Sequence, residues 1–329
     1  MVKDASDKLI ARPRVCRVRS RVPVRFTILG SGSAGNCAYL ETDDTRLLID
    51  AGLSGRQIRQ RLAAIGRSPE SLHAILLTHE HTDHSQGLAT IAAKLDIPVY
   101  CNRLTREAVE AQLETRFECR IFTTGAAFDV GDVRVETFSV PHDAYDPVNF
   151  LLRTAAGNVG FLTDLGHATK LVIERVREAN VLLLEANHDV KMLQDDPRRP
   201  WSLKQRILSR HGHLSNEAAA SVAEEIVTSG LSRIYLGHLS RDCNQPDLAR
   251  RVVGGRLQQM GVSHVTLEAA AQDTPCQTLE MGAMAAPAAA PLALSTFPAP
   301  ASLKADYSQS HSDSTKAAEP SRSQPSSWA

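Results

Sequence analysis

Aromatic side chains make up only 5% of this 329-residue chain, so its core must rest on aliphatic residues, which are ample. No apolar run approaches the roughly 18 residues that a bilayer-spanning helix needs, which excludes such a helix within this sequence. The basic start has no apolar stretch behind it and does not read as a secretory signal. Cys16, Cys37, Cys101, Cys119, Cys243 and Cys276 form no Cys-x-x-Cys pair and no framework spacing. Scattered thiols suit a reducing cytoplasm rather than a secreted disulfide scaffold. Net charge is missing as well: Lys plus Arg and Asp plus Glu both total 37. Eight of the basic residues fall within residues 1–25, and 26 basic against 30 acidic residues lie between 26 and 268. A broad basic face for nucleic acid is therefore not visible in the totals, although local patches are compatible with them.

Composition divides the chain in three. Residues 1–22 form an Arg-rich extension expected to be disordered. Residues 23–268 carry the aliphatic content of a folded domain. Residues 269–329, rich in Ala, Pro and Ser, form a tail expected to be disordered. Val24–Leu29, Cys37–Glu41 and Arg46–Ile49 read as short strands joined by tight turns. The loop Gly30-Ser31-Gly32-Ser33-Ala34-Gly35-Asn36 joins strand to strand and lacks the Gly-Lys-Ser/Thr ending of a phosphate-binding loop. It reads as a hairpin loop near the site, with substrate contact as the lesser option. Ser54 caps a helix through about Ile65, and Ser85–Leu95 reads as a helix with Leu88, Ile91, Ala92 and Leu95 on one face. Strands at 128–130, 133–140, 149–154 and 158–162 make a second β-rich section. Further on, helices at 168–179, 203–210 and 216–228 alternate with strands at 181–184, 233–236 and 264–267.

The most informative stretch is Thr78-His79-Glu80-His81-Thr82-Asp83-His84, directly behind the apolar run Ala74–Leu77. Three imidazoles and two carboxylates within six residues, in a chain of 12 histidines, make a donor set for zinc or a similar divalent ion. His79 and His81, two apart at a strand end, leave on the same side and converge on one ion. Asp83 and His84 point toward a second position beside it. Asp50, His142, Asp164 and His238 each stand just past another strand, where side chains are held rigidly at a sheet edge.

His79-x-His81-x-Asp83-His84, with His142, Asp164 and His238 following in order, resembles the metallo-β-lactamase-fold hydrolases over about Val24 to Glu268. The resemblance implies an α/β (α+β) fold, a four-layer αββα sandwich carrying two divalent metal ions, zinc or manganese. It implies His79, His81 and His142 on one ion, Asp83, His84 and His238 on the other, and Asp164 between them. Asp50 matches a position that supports the ligands. His81 stands where flavodiiron oxidoreductases of the same fold carry a carboxylate, which favours hydrolysis over redox chemistry.

Gly212-His213-Leu214-Ser215-Asn216 resembles the Gly-His-Ser-Thr segment of tRNase Z-like phosphodiesterases. That makes His213 the candidate proton donor or phosphate contact, beside the plainer reading of a helix start capped by Ser215. Asp83, Asp164 and His213 are thus the expected catalytic residues, and His188 is a candidate for substrate contact or for support of a ligand. Arg198, Arg199, Lys204, Arg206 and Arg210 form a small basic cluster suited either to a phosphodiester backbone or to a solvated helix face.

The finer resemblance, carried also by Leu48-Ile49-Asp50-Ala51-Gly52, Asn187-His188-Asp189 and Gly237-His238-Leu239-Ser240, is to the YycJ/WalJ-like branch. It implies a cytoplasmic phosphodiesterase or nuclease acting on DNA ends in the 5′-to-3′ direction by attack of metal-bound hydroxide. The partner expected is DNA or another phosphodiester, with no membrane. The alternatives are a small-molecule hydrolase of thioesters, lactones or cyclic phosphates, and a non-catalytic regulatory protein using the fold as a scaffold.

Overall fold

The computed structural model describes residues 23–282. The chain runs through β1 (Val24–Gly30), β2 (Cys37–Glu41), β3 (Arg46–Ile49), α1 (Gly55–Ala64), β4 (Ala74–Leu76), α2 (Thr82–Ser85), α3 (Ala92–Leu95), β5 (Val99–Cys101), α4 (Arg103–Leu113) and β6 (Cys119–Ile121). It continues with β7 (Ala127–Val130), β8 (Val133–Ser139), β9 (Val148–Thr154), β10 (Gly157–Leu162), α5 (Lys170–Val176), β11 (Val181–Glu185), α6 (Val190–Asp195) and α7 (Trp201–Ile207). Last come α8 (Asn216–Ile226), β12 (Arg233–Gly237), α9 (Pro246–Gln259), β13 (Thr266–Ala269) and β14 (Leu279–Met281).

Two seven-stranded sheets result, ordered β14-β1-β2-β3-β4-β5-β6 and β13-β12-β11-β10-β9-β8-β7. The strands read as continuous apolar runs because both faces of each sheet are covered. In β3, Leu47 and Ile49 enter the core shared by the two sheets, while Leu48 packs outward with Ile58 and Leu62 of α1. In β11, Leu183 faces the shared core and Leu182 and Leu184 face Val172, Ala219 and Val253 of the outer helices. The period-2 pleat thus feeds three apolar layers from single runs. Phe26 spans the sheets, its ring centroid 5.9 Å from those of both Phe161 and Tyr235. Four layers, αββα, follow.

Several elements depart from the sequence reading. Of the expected helix over 85–95 only the single turn α3 forms, α2 ending at Ser85, because the stretch before it is tied to other parts of the fold. Gly87 donates to Ala51 O at 2.8 Å, and Ser85 Oγ turns back to Glu80 O and His81 O, both at 3.0 Å. Helix α9 was not anticipated: Gly254 and Gly255 dilute its periodic signal, while burial of Ala249, Val253 and Leu257 holds it. The folded chain also runs past the expected end at Glu268. Cys276 N donates to Ile28 O at 2.9 Å and β14 pairs antiparallel with β1, closing that sheet's edge. The extension expected over 1–22, and the part of the tail expected over 269–329 that follows residue 282, lie outside the described residues. Among the described residues no helix is long and apolar enough to cross a membrane.

Candidate metal centre and active site

Parallel pairing determines where the polar residues gather. β3 pairs parallel with β4, so Asp50 and Thr78 leave adjacent strand ends, and Asp50 Oδ1 accepts from Thr78 N at 2.9 Å. β10, β11 and β12 are parallel neighbours, and their carboxyl ends carry Asp164, Glu185 and His238 side by side. His142 follows β8. Sites in open α/β sheets form outside such carboxyl ends. Three of these terminal residues adopt left-handed backbone: Asp50 at φ 59°, Asp164 at φ 55° and His238 at φ 53°. Such conformations are costly outside glycine and persist where surrounding contacts over-determine them.

The imidazoles are oriented from behind. Thr78 Oγ1 lies 2.9 Å from His79 Nδ1, and Asp50 Oδ2 accepts from His84 Nδ1 at 2.7 Å. His142 Nδ1 donates to Gly212 O at 3.1 Å, and His238 Nδ1 donates to Glu185 Oε1 at 2.9 Å. Each of the four therefore turns Nε2 toward the centre with its tautomer set by its partner. His79 Nε2 and His142 Nε2 lie 3.0 Å and 3.3 Å from His81 Nδ1. Three buried or half-buried ring nitrogens cannot all satisfy one another by hydrogen bonds, whereas a cation accepts all three lone pairs.

Asp83 Oδ2 stands 3.3 Å from His238 Nε2 and 3.7 Å from His84 Nε2. Asp164 lies between the groups, Oδ2 at 3.1 Å from His84 Nε2 and Oδ1 at 3.8 Å from His142 Nε2. Its Oδ2 is sealed from solvent and no well-directed hydrogen bond reaches it. Donor atoms of His79, His81 and His142, and separately of Asp83, His84 and His238, converge within 4.8 Å of one another. An orphaned carboxylate oxygen among converging lone pairs fits divalent cations. Burial works against the charge on Asp164, yet His238 and His84 hold its carboxyl well below the usual range.

Three supporting residues escaped the sequence reading. Glu185 is fully buried and accepts from both His238 Nδ1 and His213 Nδ1, the latter at 2.7 Å. Burial opposes its ionisation, but these two imidazoles bring its pKa down to about 2. Its signal was available: an acidic residue ends the apolar run Val181–Leu184, as Asp50 ends Leu47–Ile49. Thr78 is the second, its hydroxyl 3.0 Å from each oxygen of Asp50. Asn36 is the third, with Nδ2 3.1 Å from His84 Nε2. It belongs to the Gly/Ser loop, which seats the ligands: Asn36 N donates to Asp83 O at 2.7 Å and Ser31 Oγ accepts from His238 N at 2.8 Å. Gly52 lets Asp83 approach, since a Cβ there would fall 1.6 Å from Asp83 O.

His213 and His188 both line the cleft in front of this centre, a space of about 260 Å³. Ser215 caps α8, accepting from Ala218 N at 3.2 Å, so the capping reading and the cleft position of His213 hold together. Three of the five residues of the basic cluster are paired with carboxylates and a fourth is buried. Arg199 is paired with Asp196 and Asp242, Arg198 with the same two carboxylates, and Arg206 with Asp143. Lys204 is buried and donates to Gln194 O at 2.6 Å, and Arg210 meets His167 at 2.9 Å.

A family model described as a β-lactamase superfamily domain matches residues 45–239. The chain belongs to this superfamily. Within it, the chain is 39% identical over 243 residues to exodeoxyribonuclease YycJ of Bacillus anthracis, covering 72% of this chain and 90% of that protein. It is 40% identical over 245 residues to exodeoxyribonuclease WalJ of Streptococcus pneumoniae serotype 2 (strain D39), covering 73% and 90%. Among solved structures, the metallo-β-lactamase fold protein YhfI from Bacillus subtilis superimposes with a TM-score of 0.60 at 17% identity, covering 78% of this chain and 99% of that one. The short form of human tRNase Z gives 0.54 at 19% identity, with the same coverage. These two likenesses concern the fold. The superfamily's two-sheet architecture is the one that the resemblance in the sequence implied.

Proposed function

We propose that this member of the superfamily is a metal-dependent phosphodiesterase that degrades DNA from an end, a 5′-to-3′ exodeoxyribonuclease. The observation that carries the reading is His213 clamped by Glu185 at 2.7 Å beside Asp164, on the wall of the cleft that the metal-binding group faces. Identity to two exodeoxyribonucleases over nine-tenths of their length supports the DNA assignment.

His79, His81 and His142 would hold one divalent cation, Asp83, His84 and His238 a second, and Asp164 both, with zinc or manganese suited to these donors. Two such ions, when bound, acidify a water to supply the nucleophile and neutralise charge on the phosphoryl oxygens. The protein's own residues do the rest. Asp50, Thr78, Glu185 and Gly212 hold the imidazoles in place, so little reorganisation accompanies reaction. Glu185 stabilises the protonated form of His213, whose second ring nitrogen gives its proton to the departing 3′ oxygen as the P–O bond breaks. This chemistry belongs in the cytoplasm, where the free cysteines found among the described residues persist.

One observation favours the other enzymatic reading. The arginines along the cleft are already committed to carboxylates, which weakens attraction for a polyanion and suits a smaller ester or thioester. Full-length protein loaded with manganese or zinc, given 5′-labelled duplex DNA, bis-p-nitrophenyl phosphate and a thioester, separates the two. The expected result is release of mononucleotides that disappears in Asp164→Ala. In His213→Ala, metal content is kept and phosphodiester turnover drops by about 10²–10⁴-fold. Thioester turnover with inert DNA would overturn the assignment.

A further inference from the structure

His188 Nε2 is sealed from solvent and has no partner among the described residues, although the residue lines the cleft and is only 1% exposed. Its other nitrogen decides what Nε2 needs. Asn187 spends its amide on His238 O at 2.9 Å, leaving Asn187 Oδ1 as an acceptor that faces His188 Nδ1 at 3.4 Å. Nδ1 therefore carries the hydrogen, and Nε2 keeps an unpaired lone pair on a residue that lines the cleft. A buried acceptor of this kind calls for a donor, which a phosphate dianion does not supply. Burial brings the His188 pKa down to about 4, so the ring does not offer a charge instead.

The surroundings agree. Leu193 of α6, and Leu203 and Ile207 four apart on α7, give the cleft that His188 lines apolar walls. Its two arginines, Arg199 and Arg206, are already ion-paired. The whole cleft, metal-binding residues included, encloses about 260 Å³, near the lower end of the roughly 300–1,000 Å³ typical of small-ligand sites. Apolar aliphatic walls, a neutral acceptor and paired arginines suit a nucleobase better than a terminal phosphate.

We propose that this part of the cleft lodges the nucleoside flanking the scissile phosphate, with His188 Nε2 accepting a hydrogen bond from an N–H of its base. This inference deepens the exonuclease reading and rests on it. His188 is then a specificity-determining residue, and the released unit is set by what fits between it and the metal centre.

The test uses full-length, metal-loaded protein and the variants His188→Leu and His188→Gln. In His188→Leu, the KM for DNA rises roughly tenfold, as expected for one lost hydrogen bond in a buried site, while kcat, metal content and turnover of bis-p-nitrophenyl phosphate stay level. Inhibition by dAMP weakens by the same factor, and inhibition by inorganic phosphate does not change. His188→Gln, which keeps an acceptor, retains most of the affinity. Wild type degrades an end beginning with unsubstituted purine, which has no Watson–Crick-edge N–H, more slowly than one beginning with adenine, and His188→Leu removes that difference. Parallel loss on DNA and bis-p-nitrophenyl phosphate overturns the inference in favour of a structural role. Weakened phosphate inhibition overturns it in favour of an anion site, and unchanged DNA kinetics overturns it outright. In each of these cases wild-type DNA hydrolysis stands. Wild type inert on DNA removes the exonuclease reading and this inference with it.

Discussion

Glu185 joins the metal-binding group to the proposed proton donor, since its Oε1 receives both His238 Nδ1 and His213 Nδ1. A positioning carboxylate of this kind sets metal affinity and imidazole basicity together. Glu185→Gln, nearly isosteric but neutral, is expected to lower affinity for the ion on His238 by about 10–100-fold. It should also depress kcat more steeply above neutral pH than in the wild type, because His213 loses its anionic partner. Metal titration with a competing chelator and a pH–rate profile measure the two effects separately. Acid stability offers a second handle in the metal-free protein. The folded-state pKa of Glu185 lies near 2 against an ordinary 4.5. Its stabilising contribution is therefore complete above pH 4.5 and is lost as pH falls toward 2. The shift corresponds to on the order of 3 kcal/mol, at 1.36 kcal/mol per unit. Urea midpoints between pH 5 and 2 should fall more steeply for wild type than for Glu185→Gln.

Among elements, the loops after β3 and β4 act as one body. Ala51 N donates to His84 O at 2.8 Å, Gly52 N to Asn36 O at 2.9 Å, and Gly52 leaves no room for a side chain against Asp83. Gly52→Ala must push that backbone aside. The expected outcome is a destabilisation of about 1–3 kcal/mol, as for overpacking, with loss of the ion proposed for Asp83 and His84 before the one proposed for His79, His81 and His142. Thermal unfolding and metal content read the two. The difference between the expected helix over 85–95 and the observed single turn belongs to this scale as well. The sequence carries helical periodicity there, but the ligand loop claims the same backbone for tertiary hydrogen bonds, and those outweigh a weak local preference.

For the domain as a whole, β14 is, with α9, an element that the sequence concealed. Three residues pairing with β1 at Val24, Arg25 and Phe26 close one end of a seven-stranded sheet. Chain shortened to end at residue 268 should therefore expose the edge of β1 and lose solubility, whereas chain ending at residue 282 should behave as the full-length protein does. Size-exclusion chromatography and thermal melts compare them. Phe26, packed on Phe161 and Tyr235 across the two sheets, gives the matching test of the shared core. Phe26→Ala should cost about 3–5 kcal/mol while leaving metal stoichiometry intact.

Much of the fold was legible because most strands carry their own signal: an apolar run, a turn, a polar residue at the end. The cluster from His79 to His84 declares its chemistry locally, as does Ser54 at the start of α1. What lies in single residues far apart in the chain was legible only in part. Asp50, His142, Asp164 and His238 could be read as strand-end residues. That Glu185 joins His213 to His238, residues 28 and 53 positions away, follows only from parallel pairing of β11 with β10 and β12. The same holds for Arg198, Arg199 and Arg206, whose charges look free along the chain and are paired with Asp143, Asp196 and Asp242 once the chain folds. The sequence by itself determined the donor types and their order, because ligand chemistry resides in the side chains. Tertiary structure alone decided which lone pairs meet, which charges survive, and that His188 is left with one acceptor unpaired, because those depend on distances that no local pattern encodes.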